Sequence, residues 1–221
     1  MTRYNNTDYP SDFAMQEAMW KDMGYVQSDR GNWYDMRGDF GIGYTVNRHL
    51  PFYFDKEDFD EVSKYKWSDD YCKHLNCKNG KPQYFCVLTH DVKPKIRLHE
   101  VVTGKKHQDH KNHNTFDCRK CNLRDVTAQQ NSWNTTPRHI GESGIAGVHR
   151  KYPDGGPWVG KFRDAYIETY DLDEAKKFVL EARVKHRGEY DYHYPQFEEM
   201  GGNLDELRSR PDISPSKTSL F

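Results

Sequence analysis

Hydrophobic and polar positions along the chain fall into short alternations and a few helical stripes. From Trp33 to Phe54, WYDMRGDFGIGYTVNRHLPFYF alternates β-formers with glycines, predicting two or three short strands joined by tight turns. Its three glycines do not follow the GxGxxG order of a phosphate-binding turn. Next, DKEDFDEVSKYKW offers Asp55 as an N-cap and sets Phe59, Val62 and Tyr65 at helical spacing, predicting a short amphipathic helix over 55–67 that packs on those strands. A short helix is also predicted over Asp12 to Met23. Pro82 to Thr89 reads as a strand, and Pro94 to Gly104 as a strand or a helix start ended by glycine. Val126 to Asn134 reads as a helical turn or two, and 135–144 as a loop by its Pro, Gly and Ser content. Three strand-like segments follow, with the turn PDGG between the first two. Leu172, Ala175, Phe178, Val179 and Ala182 then mark an amphipathic helix running to His186.

These elements predict an α+β chain in four stretches. A β-rich region spans 1–92, a central ββα segment 93–136, a three-stranded sheet plus helix 137–194, and a loosely packed polar tail 195–221. With 35% hydrophobic, 30% charged and 14% aromatic residues, thin modules around small aromatic cores are expected in place of one thick core. No apolar run approaches the roughly 18 residues of a membrane span. The N-terminal MTRYNNTDYP lacks the apolar core of a secretory signal, so a cytoplasmic protein without a membrane partner is expected. Five cysteines, an odd count, argue against a disulfide framework in such a setting.

Net charge is only −1, but its distribution is uneven. Lys93 to Arg163 holds fourteen Lys/Arg against six Asp/Glu, a net of +8 that the rest of the chain balances with −9. A basic middle between acidic ends suits a surface facing phosphates.

Candidate chemistry concentrates in HQDHKNHNTFDCRKCNLR, His107 to Arg124. Asp109 is a hard oxygen ligand for a divalent metal, and the neighbouring His110 has the side chain best suited to take a proton near neutrality. Adjacent strand residues point to opposite faces, so both serve one site only where the strand ends or bends, as the Asn- and His-rich KNHNTFD suggests. Asn131 offers a second oxygen ligand, and Arg119 and Arg124 offer forks for phosphate. Together these are the parts of metal-assisted phosphodiester hydrolysis.

At this point LHEVVTGKKHQDHKNHNTFDCRKCNLRDVTAQQNSWN resembles the HNH endonucleases of the phage and intron homing type. Their pattern runs LHR, a small loop, DH, an Asn-rich loop, D-x-R-x-x-NLR-x-V-T and N-x-x-N. Asp109, His110, Asn122 and Asn131 fall at that family's spacing, as do Asn114, Asp117, Arg119, Leu123, Arg124, Val126 and Thr127. The resemblance implies a strand pair and helix clasping one metal ion. His110 would be the general base, Asp109 and Asn131 the ligands of Mg²⁺ or Mn²⁺, and Asn122 the residue orienting the loop that carries the base. His99 matches the histidine of LHR as structural support, with Glu100 in place of the arginine. The implied partner is double-stranded DNA, cut to 5′-phosphate and 3′-hydroxyl ends, often by enzymes of phages or mobile elements in bacterial cells. One site per chain implies that a monomer nicks and that a double-strand break needs two protomers, or two sequential events.

Two features lie beside that pattern. Where the family commonly has DNRxxNLR this chain has DCRKCNLR, and Cys118 with Cys121 forms a C-x-x-C for which Cys72 and Cys77 are the candidate partners in a structural Zn²⁺ site. Farther on, SGIAGVHRKYPDGGPWVGKF and IETYDLDEAKKFV resemble an AP2-type DNA-binding domain, with Glu168 where that family has glycine. In that family the sheet enters the major groove, so the resemblance implies DNA contacts from His149, Arg150, Lys151, Lys161 and Arg163. Alternation sets Lys161 and Arg163 on one face with Val159, and Trp158 with Phe162 on the other. The two resemblances span about Gly38 to Tyr190. Alternative readings are a non-catalytic AP2-type regulator and a zinc-stabilised interaction module organised by the cysteines.

Overall fold

The computed structural model describes residues 2–5, 7–72 and 83–210. It is an α+β fold of several small sheets, divided into two compact units, Met1–Asp125 and Val126–Phe221. No helix among the described residues is long and apolar enough to cross a membrane.

The first unit opens with the hairpin β1 (Thr2–Tyr4) and β2 (Thr7–Tyr9), then α1 (Asp12–Asp22), capped where the Ser11 side chain accepts from the Ala14 amide. An antiparallel meander follows: β3 (Val26–Gln27), β4 (Trp33–Asp35), β5 (Gly41–Tyr44) and β6 (Pro51–Phe54). Gly41 lies opposite Phe54 and Gly43 opposite Phe52, and the rings lie over the glycines so closely that an added Cβ would sit 2.5 and 2.1 Å from them. The glycines of GDFGIGY are thus slots that let two phenyl rings be buried completely.

The helix expected over 55–67 is shorter: a 3-10 turn, Lys56–Asp58, leads into α2 (Phe59–Val62). Trp67 instead begins β7 (Trp67–Cys72), paired with β8 (Gln83–Thr89), and its indole N–H donates to the Val62 carbonyl at the helix end, which also accepts the Tyr65 amide. Buried Asn32 ties meander to hairpin by donating to the Tyr44 and Trp67 carbonyls and accepting from the Trp67 amide. The ambiguous 94–104 segment is helical as α3 (Leu98–Thr103), stopped by Gly104 in the left-handed region. Last come β9 (Gln108–His110) and β10 (Leu123–Asp125), an antiparallel pair.

One core joins Tyr34, Phe52, Phe54, Val62 and Trp67 to Leu98, Val102, Cys118 and Leu123. The stretches expected as separate regions 1–92 and 93–136 therefore share a single apolar interior up to β10, while the helix that completes the second stretch lies in the other unit.

That unit starts with α4 (Ala128–Trp133), closed by a capping box between Thr127 and Gln130. The predicted sheet follows in order as β11 (Val148–Tyr152), β12 (Gly155–Phe162) and β13 (Ala165–Thr169), all antiparallel. Asp171 caps α5 (Leu172–Arg187), which packs on one face of this sheet through Ala175, Val179, Leu180 and Val184. Gly160 makes that approach possible, because a Cβ there would press on Val179 and Ile167 at 2.9 Å. The polar tail is not loose at its start: α6 (Tyr194–Glu199) and α7 (Leu204–Ser209) bury Phe197 and Leu207 in the same core.

Beneath them Asp191 accepts from Arg183 Nε at 3.0 Å and Arg187 Nη1 at 2.9 Å. His193, fully buried, accepts the Ala146 amide on Nε2 at 3.0 Å. Burial, helped by the Arg183 charge, depresses its pKa from 6.5 to about 4.

Gly43→Ala is expected to cost about 1–3 kcal/mol by overpacking against Phe52, read as a lower urea midpoint at unchanged m-value. His193 makes stability pH-dependent. Between pH 6.5 and about 4 the unfolded chain binds its proton while the folded one does not, so stability is present above 6.5 and declines as pH falls through that window. The decline is at most about 3 kcal/mol, and His193→Gln should flatten this part of a melting-temperature profile against pH.

Candidate active site

The β9–β10 pair is three residues long on each side, with His110 opposite Leu123 and Arg124 opposite Asp109. The strand ends at His110, where the chain turns through Asn112 and His113, the latter at φ 62°. Asp109 and His110 are consequently both buried beside one short ladder, as the bend expected in KNHNTFD requires.

Asn122 closes the loop. Its side-chain oxygen accepts the Asn112 amide at 3.0 Å, its side-chain amide donates to the Asp117 carbonyl at 2.7 Å, and its own carbonyl accepts the Lys111 amide at 2.9 Å. Asn112 and Asn114 make smaller turns inside the loop, the Asn112 oxygen accepting the Asn114 amide and the Asn114 oxygen the Phe116 amide. The far end of the loop is stapled to β6: Tyr53 N–H donates to the Phe116 carbonyl and Cys118 N–H to the Tyr53 carbonyl, each at 2.9 Å. Lys120 adds an electrostatic tie, its amide on Asp55 and its ammonium on Glu57 and Asp58.

His110 packs against the ring of buried His99, with centroids 5.6 Å apart, and its Nε2 lies 3.6 Å from Cys118 Sγ. Burial, and secondarily the nearby His99, lowers its pKa to about 4 against the pull of Asp109 and Asp117, so the ring is neutral at neutral pH. His99 is itself depressed by burial, with Nε2 on the Lys106 carbonyl, which fits the expected supporting role.

Both guanidinium forks expected for phosphate are engaged within the first unit. Arg119 grips Asp117 in a bidentate pair at 2.8 and 2.7 Å and stacks over Phe40. Burial pushes the Asp117 carboxyl up, but Arg119 and Asn112 outweigh it and hold the group below the usual range. Arg124 meets Asp109 Oδ2 through Nε at 2.8 Å and Nη2 at 2.7 Å. Asn131 belongs to the second unit, on α4. Asp109, His110 and Asn122 are thus the predicted residues that the first unit brings together.

Among the described residues no three His, Cys, Asp or Glu side chains converge as a group that could hold a metal ion. Cys118 is buried in the core and Cys121 exposed, so the C-x-x-C does not present two thiols to one point. Burial also pushes the Cys118 thiol well above its ordinary pKa. Cys77 and the Cys72 side chain lie outside the described residues.

In the second unit, the face of the sheet turned away from α5 carries His149, Lys151 and Lys161, with Tyr166 and Glu168. Lys151 pairs with Glu168 at 2.6 Å, and Tyr166 donates to the same carboxylate. Glu168 therefore fits within β13 where the resembling family has glycine. Arg150 and Arg163 do not share this face. Arg150 stacks at 3.8 Å over Trp158, a residue of the helix-side core, and Arg163 lies past the end of β12 at φ 54°, against His186 of α5. Alternation fails for Arg163 because the strand has stopped at Phe162.

Searches of family models, curated proteins and solved structures return no match to this chain.

Asn122→Ala removes a donor and an acceptor from buried backbone partners and is expected to cost about 2–4 kcal/mol. Hydrogen exchange should show the Asn112 amide losing protection first; an unchanged Asn112 rate would mean that Asn122 does not close the loop.

Proposed function

We propose that the chain is an HNH-type endonuclease that hydrolyses phosphodiester bonds of double-stranded DNA with Mg²⁺ or Mn²⁺. The observation that carries this reading is the juxtaposition of buried Asp109 and neutral His110 at the end of β9, beneath a loop closed by Asn122. The motif spacing supports the same assignment independently of the fold.

In this reading His110 takes a proton from water as the water oxygen attacks phosphorus. The bond from phosphorus to the 3′ oxygen breaks, that oxygen gains a proton, and a 5′-phosphate and a 3′-hydroxyl result. Asp109, with Asn131 as the motif implies, would hold the cation, which when bound supplies positive charge to the phosphate and the leaving oxygen. Arg124, on Asp109 Oδ2 through Nε and Nη2, keeps that carboxylate oriented. Asn122 positions the loop, and Arg119 stiffens it through Asp117 instead of reaching the phosphate. In the second unit the face bearing His149, Lys151 and Lys161 is the DNA-reading surface, by its exposed basic groups and by the AP2 resemblance.

Full-length protein with Mg²⁺, incubated with a randomised duplex library and supercoiled phage and bacterial DNA, should release ends bearing 5′-phosphates. His110→Ala should slow cleavage by about 10²–10⁴-fold, the span of a lost general base. Intact DNA throughout, or equal cleavage by His110→Ala, would sink the assignment.

A further inference from the structure

We infer that Cys118 is a positioning residue for His110: it accepts the Nε2–H of the imidazole, fixing the ring's tautomer and orientation so that Nδ1 carries the lone pair that takes the proton. The role in catalysis rests on the nuclease reading above, while the tautomer assignment rests on geometry alone.

Two contacts converge on one sulfur. Cys118 Sγ lies 3.6 Å from His110 Nε2 and 3.9 Å from the Thr115 carbonyl oxygen. A carbonyl only accepts, and a thiol has a single hydrogen. Both contacts are satisfied together in one arrangement: S–H donates to Thr115, and Nε2–H donates to a sulfur lone pair. A neutral imidazole has one N–H, so placing it on Nε2 leaves Nδ1 unprotonated. In the opposite arrangement S–H turns to His110 and the Thr115 contact is lost.

The sulfur is well placed to hold a ring still. Cys118 is 1% exposed, and its backbone N–H is fixed to Tyr53 of β6 at 2.9 Å, so it cannot follow the imidazole if the ring rotates. His99 packs against the ring as well, and the sulfur contact distinguishes one ring flip from the other. The same contact explains a cysteine where the resembling pattern carries asparagine: at a fully buried position, a small soft acceptor contributes to the apolar core while still taking one weak hydrogen bond.

The test uses full-length protein labelled with ¹⁵N, and reads the His110 ring by long-range ¹H–¹⁵N correlation in wild type, Cys118→Ser and Cys118→Val. Cys118→Ser keeps a donor and acceptor; Cys118→Val keeps an apolar, slightly larger side chain without either. The wild type and the serine variant are expected to show one tautomer with the proton on Nε2. The valine variant, checked for folding by its amide spectrum, should show mixed ring signals. In the cleavage assay the valine variant should lose about 10-fold in kcat at unchanged KM, and serine should restore most of it. A proton on Nδ1 in the wild type, or a valine variant with the wild-type ring signature, would overturn the inference. A wild type that shows the Nε2–H tautomer but cuts no DNA would uphold the geometric assignment and overturn the nuclease reading instead.

Discussion

The first unit depends on a two-bond staple between β6 and the loop that precedes β10. Tyr53 exchanges backbone hydrogen bonds with Phe116 and Cys118, which adds three residues of the loop to the edge of the aromatic meander. Those bonds keep an edge strand from facing water unpaired, and they carry Cys118 into the core beside Phe52 and Phe54. Without them, a three-residue ladder between β9 and β10 would be too short to hold its own geometry. The buried histidine, the Asn122 closure and the Asp117–Arg119 pair are all built on this attachment.

The same attachment decides the electrostatics. A loop held against an aromatic core removes water from His110, and the neutral ring follows. Removing water from Asp109 and Asp117 would be costly if each lacked a partner, and each has an arginine at 2.7–2.8 Å. Two guanidinium groups that a sequence pattern offers to a ligand are thereby committed to pairing with carboxylates within the fold. The polar cluster pairs its charges locally, while burial keeps its imidazole uncharged.

Much of this was legible in the sequence, and the parts that were not have physical reasons. Strands with a local pattern, such as β11 to β13 with their PDGG turn and the stripe of α5, appear as read. The helix over 55–67 was overextended because Tyr65 and Trp67 continue an apolar pattern, yet Trp67 gains more as the first residue of β7, where its indole and amide both find partners. The tail conceals α6 and α7 because only two buried anchors, Phe197 and Leu207, interrupt a polar run. Asp109, His110 and Asn122 were readable from spacing, since the constraint on them is local. The partners of Arg119 and Arg124 were not: one depends on a loop folding back on itself, the other on a strand register that puts Arg124 opposite Asp109.

The cysteines show the limit of spacing most clearly. A C-x-x-C reads as a metal pair only when the backbone between the thiols turns both toward one point, as in a metal-binding knuckle. Here the first cysteine is committed by its N–H to Tyr53 and is drawn inward, while the intervening Arg119 and Lys120 are drawn to Asp117 and to the Asp55–Asp58 acids. Those opposed pulls leave Cys121 exposed on the turn, its carbonyl accepting from Lys111. The two sulfurs therefore do different things: one fills the core next to an imidazole, and the other faces solvent. Identical residues at a motif's spacing take separate roles because the hydrogen bonds of the residues between them fix which way each side chain points.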